Sequence, residues 1–372
     1  MKKTIFFIFF CFLFSFNVGA NPSVSARSAV LINGTTGEVI FSKNQSEQLP
    51  MASTTKIMTA LLLAEENTPE KQVTVTKQMV TVEGSSMGLL PGDTVSYNDL
   101  LYGLLLASGN DAANSVAYLL GGSLEGFAKI MNLKAKQLGL LHTNFVTPSG
   151  LDDENHYTTA NDLARLARYA MKNEAFFTAA SSKNAVLNYG NPPYRRQLTN
   201  HNKLLNLYDG AVGVKTGFTK RSGRCLVSAA RRNEEYLIAV TLSAPNDWQD
   251  HKAMLDFGFE ALEEISFSFK KQSTTIPVVS GELDHVTVNI PSLSAAVANE
   301  SKTDFSTEYH VPEFLYAPLK EGDIVGQAVL KYKGEVIKSQ DLICKKEIKI
   351  KMQEKTFLDR FFQIFLLFIK QI

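Results

Sequence analysis

The stretch that most constrains this chain is Pro50-Met51-Ala52-Ser53-Thr54-Thr55-Lys56-Ile57-Met58-Thr59-Ala60. It reads as a turn running into an amphipathic helix with Ser53 at the helix start. Lys56 follows three residues later, so one helical turn brings an ammonium beside a hydroxyl on the same face. A serine hydroxyl is a poor nucleophile until a base takes its proton. A lysine whose charge is disfavoured by burial or by a second cation is such a base. Ser53 is then an acylated nucleophile, and the rest of the chain has to position a substrate against it. The spacing alone is not specific. Ser268-Phe269-Lys270-Lys271 repeats it in a charged stretch that reads as a solvated linker.

The 372 residues are enough for a large core and suggest two domains. A formal charge of +1, with no Arg-rich run or aromatic–basic interleaving, gives no reason to propose a nucleic-acid partner. Residues 1–20 read as a signal peptide. Lys2 and Lys3 form a basic start, Ile5 to Phe16 an apolar run, and Val18-Gly19-Ala20 a cleavage site. The apolar run is short of the roughly 20 residues needed to span a bilayer. Cleavage is expected after Ala20, so the protein is expected to work outside the cytoplasmic membrane.

Cys11 leaves with that leader. Cys225 and Cys344 lie in apolar, strand-like runs of different apparent domains and read as buried free thiols. The histidines at 142, 156, 201, 251, 285 and 310 lack metal-ligand spacing. No metal and no cofactor are implied, and a serine–histidine triad has no sequence support.

In chain order, Ala29–Ile32 and Glu38–Phe41 flank the turn Asn33-Gly34-Thr35-Thr36-Gly37 and predict a β-hairpin. The Ser53 helix follows and runs through Ala64. Residues 72–95 read as short strands and turns. Ser96-Tyr97-Asn98-Asp99 predicts a helix cap, followed by an apolar helix Leu100–Ala107. That helix breaks at Ser108-Gly109-Asn110-Asp111, and a new one is expected from Ala112. A polar tetrapeptide between rigid helices can project side chains into a site. Leu124–Leu138 reads as a helix ended by Gly139, Asn144–Leu151 as loop, and Thr159 as the cap of a helix through Met171. Asn191-Pro192-Pro193 reads as loop.

The third landmark is Val212 to Thr219, a strand that carries Lys215 and Thr216 to Gly217. A glycine here lets a ligand backbone approach. The lysine and threonine offer a charge and a hydroxyl to a carboxylate. Cys225–Ala230 and Tyr236–Ser243 read as antiparallel strands, and Trp248–Leu262 as a closing helix. The N-terminal hairpin and these strands are expected to form one antiparallel sheet flanked by helices, an α/β (α+β) arrangement with the helical middle as a second lobe. The expected domains are a catalytic domain over 26–266 and a small all-β domain over 270–352. An amphipathic helix over 355–372 ends the chain. Its aromatic-rich face and the excess of seven Lys/Arg over three acids in residues 345–372 suit an anchor on an anionic membrane surface.

Ser53-Thr54-Thr55-Lys56, Ser108-Gly109-Asn110 and Lys215-Thr216-Gly217 occur in that order. This set resembles the motifs of penicillin-binding proteins and class A β-lactamases. The chain as a whole is similar to the low-molecular-weight penicillin-binding proteins, serine-type D-alanyl-D-alanine carboxypeptidases. The similarity extends to Asn144–Leu151, Asn200–Leu205, Ala317-Pro318-Leu319 and the tail. The resemblance implies a transpeptidase-like fold, a peptidoglycan pentapeptide substrate and acylation by β-lactam antibiotics. It implies attack by Ser53, proton removal by Lys56 and a proton relay through Ser108. It further implies substrate binding by Asn110, Lys215, Thr216, Gly217, Phe218 and Thr219, with the backbone N–H groups of Ser53 and Phe218 as oxyanion hole.

Some relatives carry histidine where Phe218 stands and arginine at His201 and near Asp247, so the carboxylate end departs from the pattern. Arg221 and Arg224 are the candidates for compensation. Three other readings compete. A class A β-lactamase is disfavoured by Gly109 and by the absence of a Glu-x-x-Leu-Asn motif. A D,D-endopeptidase of crosslinked peptidoglycan shares the chemistry. A non-catalytic wall-binding or morphology protein on the same fold is disfavoured by the intact Ser53, Lys56, Ser108 and Lys215.

Overall fold

The structure, a computed structural model, describes residues 21–233, 235–298 and 302–352. The expected leader and terminal anchor helix lie outside the described residues. The chain divides into two compact units, Met1–Ala261 and Leu262–Ile372.

In the first unit, β1 (Ser28–Asn33) and β2 (Val39–Lys43) form the expected hairpin. Its turn is held by Asn33, whose Oδ1 accepts from the backbone N–H groups of Thr35 at 2.9 Å and Thr36 at 3.1 Å. A 3-10 turn, Ala52–Thr55, leads into α1 (Lys56–Glu65). Next come β3 (Gln72–Thr74), the short α2 (Lys77–Val80) and β4 (Thr94–Ser96). The helical lobe holds α3 (Tyr97–Leu105), α4 (Asn110–Gly121), α5 (Leu124–Gln137), α6 (Ala160–Ala170) and α7 (Glu174–Ser181). A second hairpin, β5 (Asn184–Gly190) and β6 (Pro193–Thr199), is followed by α8 (Leu204–Leu207). Then β7 (Ala211–Thr219), β8 (Gly223–Arg232), β9 (Glu235–Leu242) and α9 (Asp247–Ala261) complete the unit.

The chain's two ends of this unit meet in one antiparallel sheet of order β2-β1-β9-β8-β7, as the sequence suggested. Every residue of β1 is buried, which explains its unbroken apolar run: both faces of the sheet are covered. Val30, Ile32, Ile238 and Val240 join the core with α1 and α6. On the other face α9 lies close, because Gly258 has no side chain; a Cβ there would stand 2.7 Å from carbons of Leu31 and Leu237.

Local capping chemistry set the helix starts where expected. Ser96 Oγ accepts from Asp99 N at 3.0 Å while Asp99 Oδ2 accepts from Ser96 N at 2.9 Å, a reciprocal box that begins α3. Thr159 Oγ1 accepts from Asp162 N at 3.1 Å and begins α6.

Four expectations are corrected. Ser53 sits in a 3-10 turn, with Lys56 the first residue of α1 proper. That helix is not amphipathic; all its residues except Glu65 are buried, because α3, α4, α6, α7 and β7 surround it. The helix after Ser108 begins at Asn110, not Ala112. Asn191-Pro192 is the two-residue turn of a hairpin, with Pro193 the first residue of β6, rather than plain loop. Arg195, Arg196 and Gln197 interrupt the apolar pattern of β6, so the pairing is not apparent from the sequence.

In the second unit, which begins at Leu262, β10 (Glu263–Phe267) pairs with β13 (Leu293–Val297), so residues 262–266 fall in this unit rather than in the expected 26–266 range. The remaining strands are β11 (Ser273–Val279), β12 (His285–Asn289), β13 (Leu293–Val297), β14 (Phe305–His310), β15 (Leu315–Tyr316), β16 (Ile324–Tyr332) and β17 (Glu335–Ile343). They enclose a core that includes Ile276, Val288, Leu330, Leu342 and Cys344. The expected β character is seen. Cys225 and Cys344 are both buried free thiols. Among the described residues no helix is long and apolar enough to cross a membrane.

Candidate active site

The site grows from the junction between the 3-10 turn and α1. The turn puts Lys56 Nζ 3.0 Å from Ser53 Oγ. The amine also reaches Asn110 Oδ1 at 2.7 Å and the Ser149 carbonyl at 2.8 Å. Lys56 is fully buried. Burial pulls its pKa well below the usual lysine range; the Lys215 charge lowers it further, and Asp111 opposes both. A buried amine with a depressed pKa, in contact with a serine hydroxyl, meets the requirement for an activating base.

Asn110 is positioned by the first turn of α4 and by its amide, whose Nδ2 donates to the Glu83 carbonyl at 2.6 Å. Ser108 lies two residues earlier, buried, with a left-handed φ of 55°. Such a conformation is uncommon outside glycine and clusters at functional sites. Asp111 braces this corner. Its carboxylate accepts from the backbone N–H groups of Met87 at 3.0 Å, Leu89 at 3.0 Å and Gly88 at 3.1 Å, and from Ser86 Oγ at 2.6 Å. The irregular segment before β4 is thereby held against the helix start.

The opposite wall is β7. Gly217 lies so close to the Ser53 turn that a Cβ would stand 3.0 Å from Ser53 N and 3.1 Å from Thr54 N. Lys215 is buried on the same strand, its pKa brought down to about 7 by burial, and its Nζ donates to the Thr216 carbonyl at 3.0 Å. Thr216 is half-buried and Phe218 is exposed. Thr219 Oγ1 lies 2.9 Å from Asp152 Oδ1 and accepts from Ser222 N at 3.0 Å, joining β7 to the loop that carries Ser149. His201 is near enough to Lys215 for that charge to add to the lowering of its pKa by burial. It lines an open pocket of about 540 Å³ with Asn200, Lys203 and Leu207.

The structure therefore brings together Ser53, Lys56 and Asn110 by direct contact, and places Gly217 against the same turn with Lys215 beside Lys56 electrostatically. Arg224, a candidate for the carboxylate end, is engaged elsewhere: its Nε donates to Asp247 Oδ1 at 2.9 Å. The competing Ser268 copy has no helix to bring its lysine round. It follows β10 in a stretch that is neither helix nor strand, with Ser268 and Lys271 exposed. Sequence reasoning missed Ser149, whose contribution is a backbone carbonyl and has no residue-type signal. It also missed Asp111, Thr55 and His156, which act on backbone or on one another.

Comparison with known proteins supplies the family. Residues 16–246 match the family model for D-alanyl-D-alanine carboxypeptidase, and residues 266–350 match that for the penicillin-binding protein 5 C-terminal domain. The chain is 34% identical over 346 residues to the D-alanyl-D-alanine carboxypeptidase DacF of Bacillus subtilis, covering 90% of this chain and 88% of that protein. It is 30% identical over 228 residues to the D-alanyl-D-alanine endopeptidase of Escherichia coli, covering 60% of this chain and 73% of that one. Among solved structures, penicillin binding protein 5 from Haemophilus influenzae superposes with a TM-score of 0.64 at 26% identity, covering 89% of this chain and 99% of that chain. With the first of these matches covering more than half of its 372 residues, this protein belongs to the family of serine-type D-alanyl-D-alanine carboxypeptidases.

Proposed function

We propose that the chain removes the terminal D-alanine from peptidoglycan stem peptides through an acyl-enzyme on Ser53. The observation that carries this reading is the 3.0 Å approach to Ser53 Oγ of a buried Lys56 amine whose pKa burial pulls down. Lys56 takes the hydroxyl proton as Ser53 Oγ attacks the carbonyl carbon of the penultimate D-alanine. The C–N bond to the terminal D-alanine breaks, and Ser108 relays a proton to the leaving amine. Water then cleaves the ester and restores the Ser53 hydroxyl. Lys215 and Thr216 hold the terminal carboxylate, and Asn110 the substrate amide. The backbone N–H groups of Ser53 and Phe218 stabilise the oxyanion, at roughly 3 kcal/mol per donor. A β-lactam acylates Ser53 by the same route and leaves slowly.

The test is labelling with a fluorescent penicillin beside release of free D-alanine from a peptide ending in D-Ala-D-Ala. The expected result is a labelled, active wild type and a Ser53→Ala variant that does neither. An unlabelled wild type, or an equally labelled variant, sinks the reading. The similarity to an endopeptidase favours a second substrate with the same chemistry, a crosslinked dimeric peptide, which the same assay scores by its cleavage to monomers. The leader and the basic, aromatic tail support a location on the outer face of the cytoplasmic membrane, held by residues 355–372. A chain ending at Gln353 should then be recovered free of membranes; continued association counts against the anchor.

A further inference from the structure

Residues 143–158, between α5 and α6, are fastened to α1 and its leading turn at three points. Thr59 Oγ1 donates to the Pro148 carbonyl at 2.6 Å, and Lys56 Nζ donates to the Ser149 carbonyl at 2.8 Å. The third fastening is Thr55 Oγ1 against His156 Nε2 at 2.7 Å. All three residues of the turn and helix are buried, as is His156.

The partners of His156 define its tautomer. Its Nδ1 receives the backbone N–H of Val146 at 2.9 Å and lies 3.3 Å from that of Thr147. Those groups only donate, so Nδ1 carries no proton. The proton is on Nε2 and is donated to Thr55 Oγ1, whose own hydrogen goes to the Ala52 carbonyl at 2.8 Å. Hydrogen bonds thus run in one direction, from Val146 through the ring and Thr55 to Ala52 in the 3-10 turn. Burial keeps the ring neutral, with a pKa near 4. There is little slack in the assembly. Gly150 has φ of +85°, and a Cβ there would stand 1.8 Å from the Ala52 carbonyl oxygen.

The consequence falls on Lys56. To act as a base the Lys56 amine must be deprotonated, and in that state it has two N–H bonds and one lone pair. Two of the oxygens around Nζ, Asn110 Oδ1 and the Ser149 carbonyl, can only accept. The orientation of the Asn110 amide is set by its Nδ2 bond to Glu83. In the deprotonated amine both N–H bonds are then occupied, and the lone pair is left for Ser53 Oγ, which lies 3.0 Å from Nζ. Without the Ser149 carbonyl, one N–H is free to swing toward Ser53 and present a donor where a base is required.

We propose that His156 is a positioning residue: a neutral, Nε2-protonated imidazole that clamps residues 143–158 onto Thr55, keeps the Ser149 carbonyl on Lys56 and so aims the Lys56 lone pair at Ser53. The proposal rests on Ser53 as nucleophile and Lys56 as base. Its test is stopped-flow acylation of the full chain by a fluorescent penicillin, which separates the dissociation constant of the initial complex from the acylation rate constant. Thr55→Val keeps the shape and the ring but removes the hydroxyl. His156→Asn keeps an acceptor for Val146 N–H but cannot reach Thr55. Both are expected to slow acylation by about 10- to 100-fold with the initial dissociation constant within about twofold of wild type. Thr55→Ser restores the hydroxyl and should return the rate to within about threefold.

Acylation at the wild-type rate by Thr55→Val overturns the clamp, and so does a loss that merely tracks a smaller folded fraction measured by circular dichroism. If His156→Asn does not fold, Thr55→Val reads the same bond from its other end. A wild type that Ser53→Ala matches in labelling overturns the nucleophile and the clamp together. A labelled wild type with an unimpaired Thr55→Val overturns the clamp alone.

Discussion

Two lysines occupy the interior of the catalytic unit, and their cost is part of their use. Lys215, with a pKa near 7, binds fewer protons when folded than when unfolded between that value and 10.5. Stability therefore rises with pH across this window, and at pH 7 the buried lysine weakens the fold. Lys215→Met should raise stability by about 1–3 kcal/mol and abolish acylation; a lower melting temperature would contradict this. The same pKa sets an activity limb. If Lys215 binds the substrate carboxylate as proposed, the free enzyme loses that charge as pH rises through about 7, so kcat/KM for a D-Ala-D-Ala peptide should fall on the alkaline side. Lys215→Arg, which stays charged, should move that limb upward. An unmoved limb would mean that another group titrates there. Lys56 and Lys215 were both legible as residue types. Their protonation was not, because it depends on burial that the linear order does not display.

Elements meet at the site through backbone, and there the sequence was least informative. Strand β7 rests on the Ser53 turn at Gly217, where a methyl group would meet two backbone nitrogens that cannot rotate away. Gly217→Ala should cut acylation at least about tenfold and stability by about 1–3 kcal/mol; a variant labelled at the wild-type rate would show that the strand has room to retreat. Asp111 organises Ser86 to Leu89 through one carboxylate. Asp111→Asn turns one acceptor into a donor facing N–H groups. It should cost about 2 kcal/mol, with limited proteolysis near 83–90 as the readout. The Ser108-Gly109-Asn110 break was legible as a polar gap between apolar helices. The brace behind it was not, since an aspartate after a helix start reads simply as first-turn acid. The β5–β6 hairpin was hidden for a related reason. Alternation turns Ala185, Leu187 and Tyr189 of β5 inward, but most of its partner β6 is exposed and polar, so only pairing reveals the hairpin.

At the scale of the molecule, Ser53, Lys56, Ser108, Asn110 and Lys215 all come from Met1–Ala261. A chain of residues 21–261 should thus retain penicillin acylation within about twofold; loss of labelling in a folded fragment would assign the β unit a part in the site. Two buried histidines govern its acid response. His156 has a pKa near 4 and His251 one near 3, both pushed down mainly by burial. His251 is held neutral between Ser228 and Thr241. Depressed folded values mean that the unfolded chain takes up more protons below about 6.5. The stability is complete above that pH and is lost as pH falls toward 4 and 3. Melting temperature measured from pH 7.5 to 4.5 should decline below about 6.5, and a flat profile would contradict the burial of neutral rings.

Sequence alone determined what local chemistry can encode. The Ser53–Lys56 spacing, the caps at Ser96 and Thr159, the Asn33 turn and the strand run from Val212 to Thr219 each follow from a few neighbouring residues. The order of Ser53-Thr54-Thr55-Lys56, Ser108-Gly109-Asn110 and Lys215-Thr216-Gly217 along the chain carried the family resemblance. Tertiary structure decided the setting of the two serine–lysine pairs: both copies have the spacing, but only Ser53 and Lys56 are wound into a helix start, with Lys56 buried. It also decided where the base points. That direction is set by a backbone carbonyl at Ser149 and an imidazole at His156, about a hundred residues away in the chain. No residue-type pattern encodes a carbonyl, and no local spacing reports burial, so this part of the site exists only once the chain has folded.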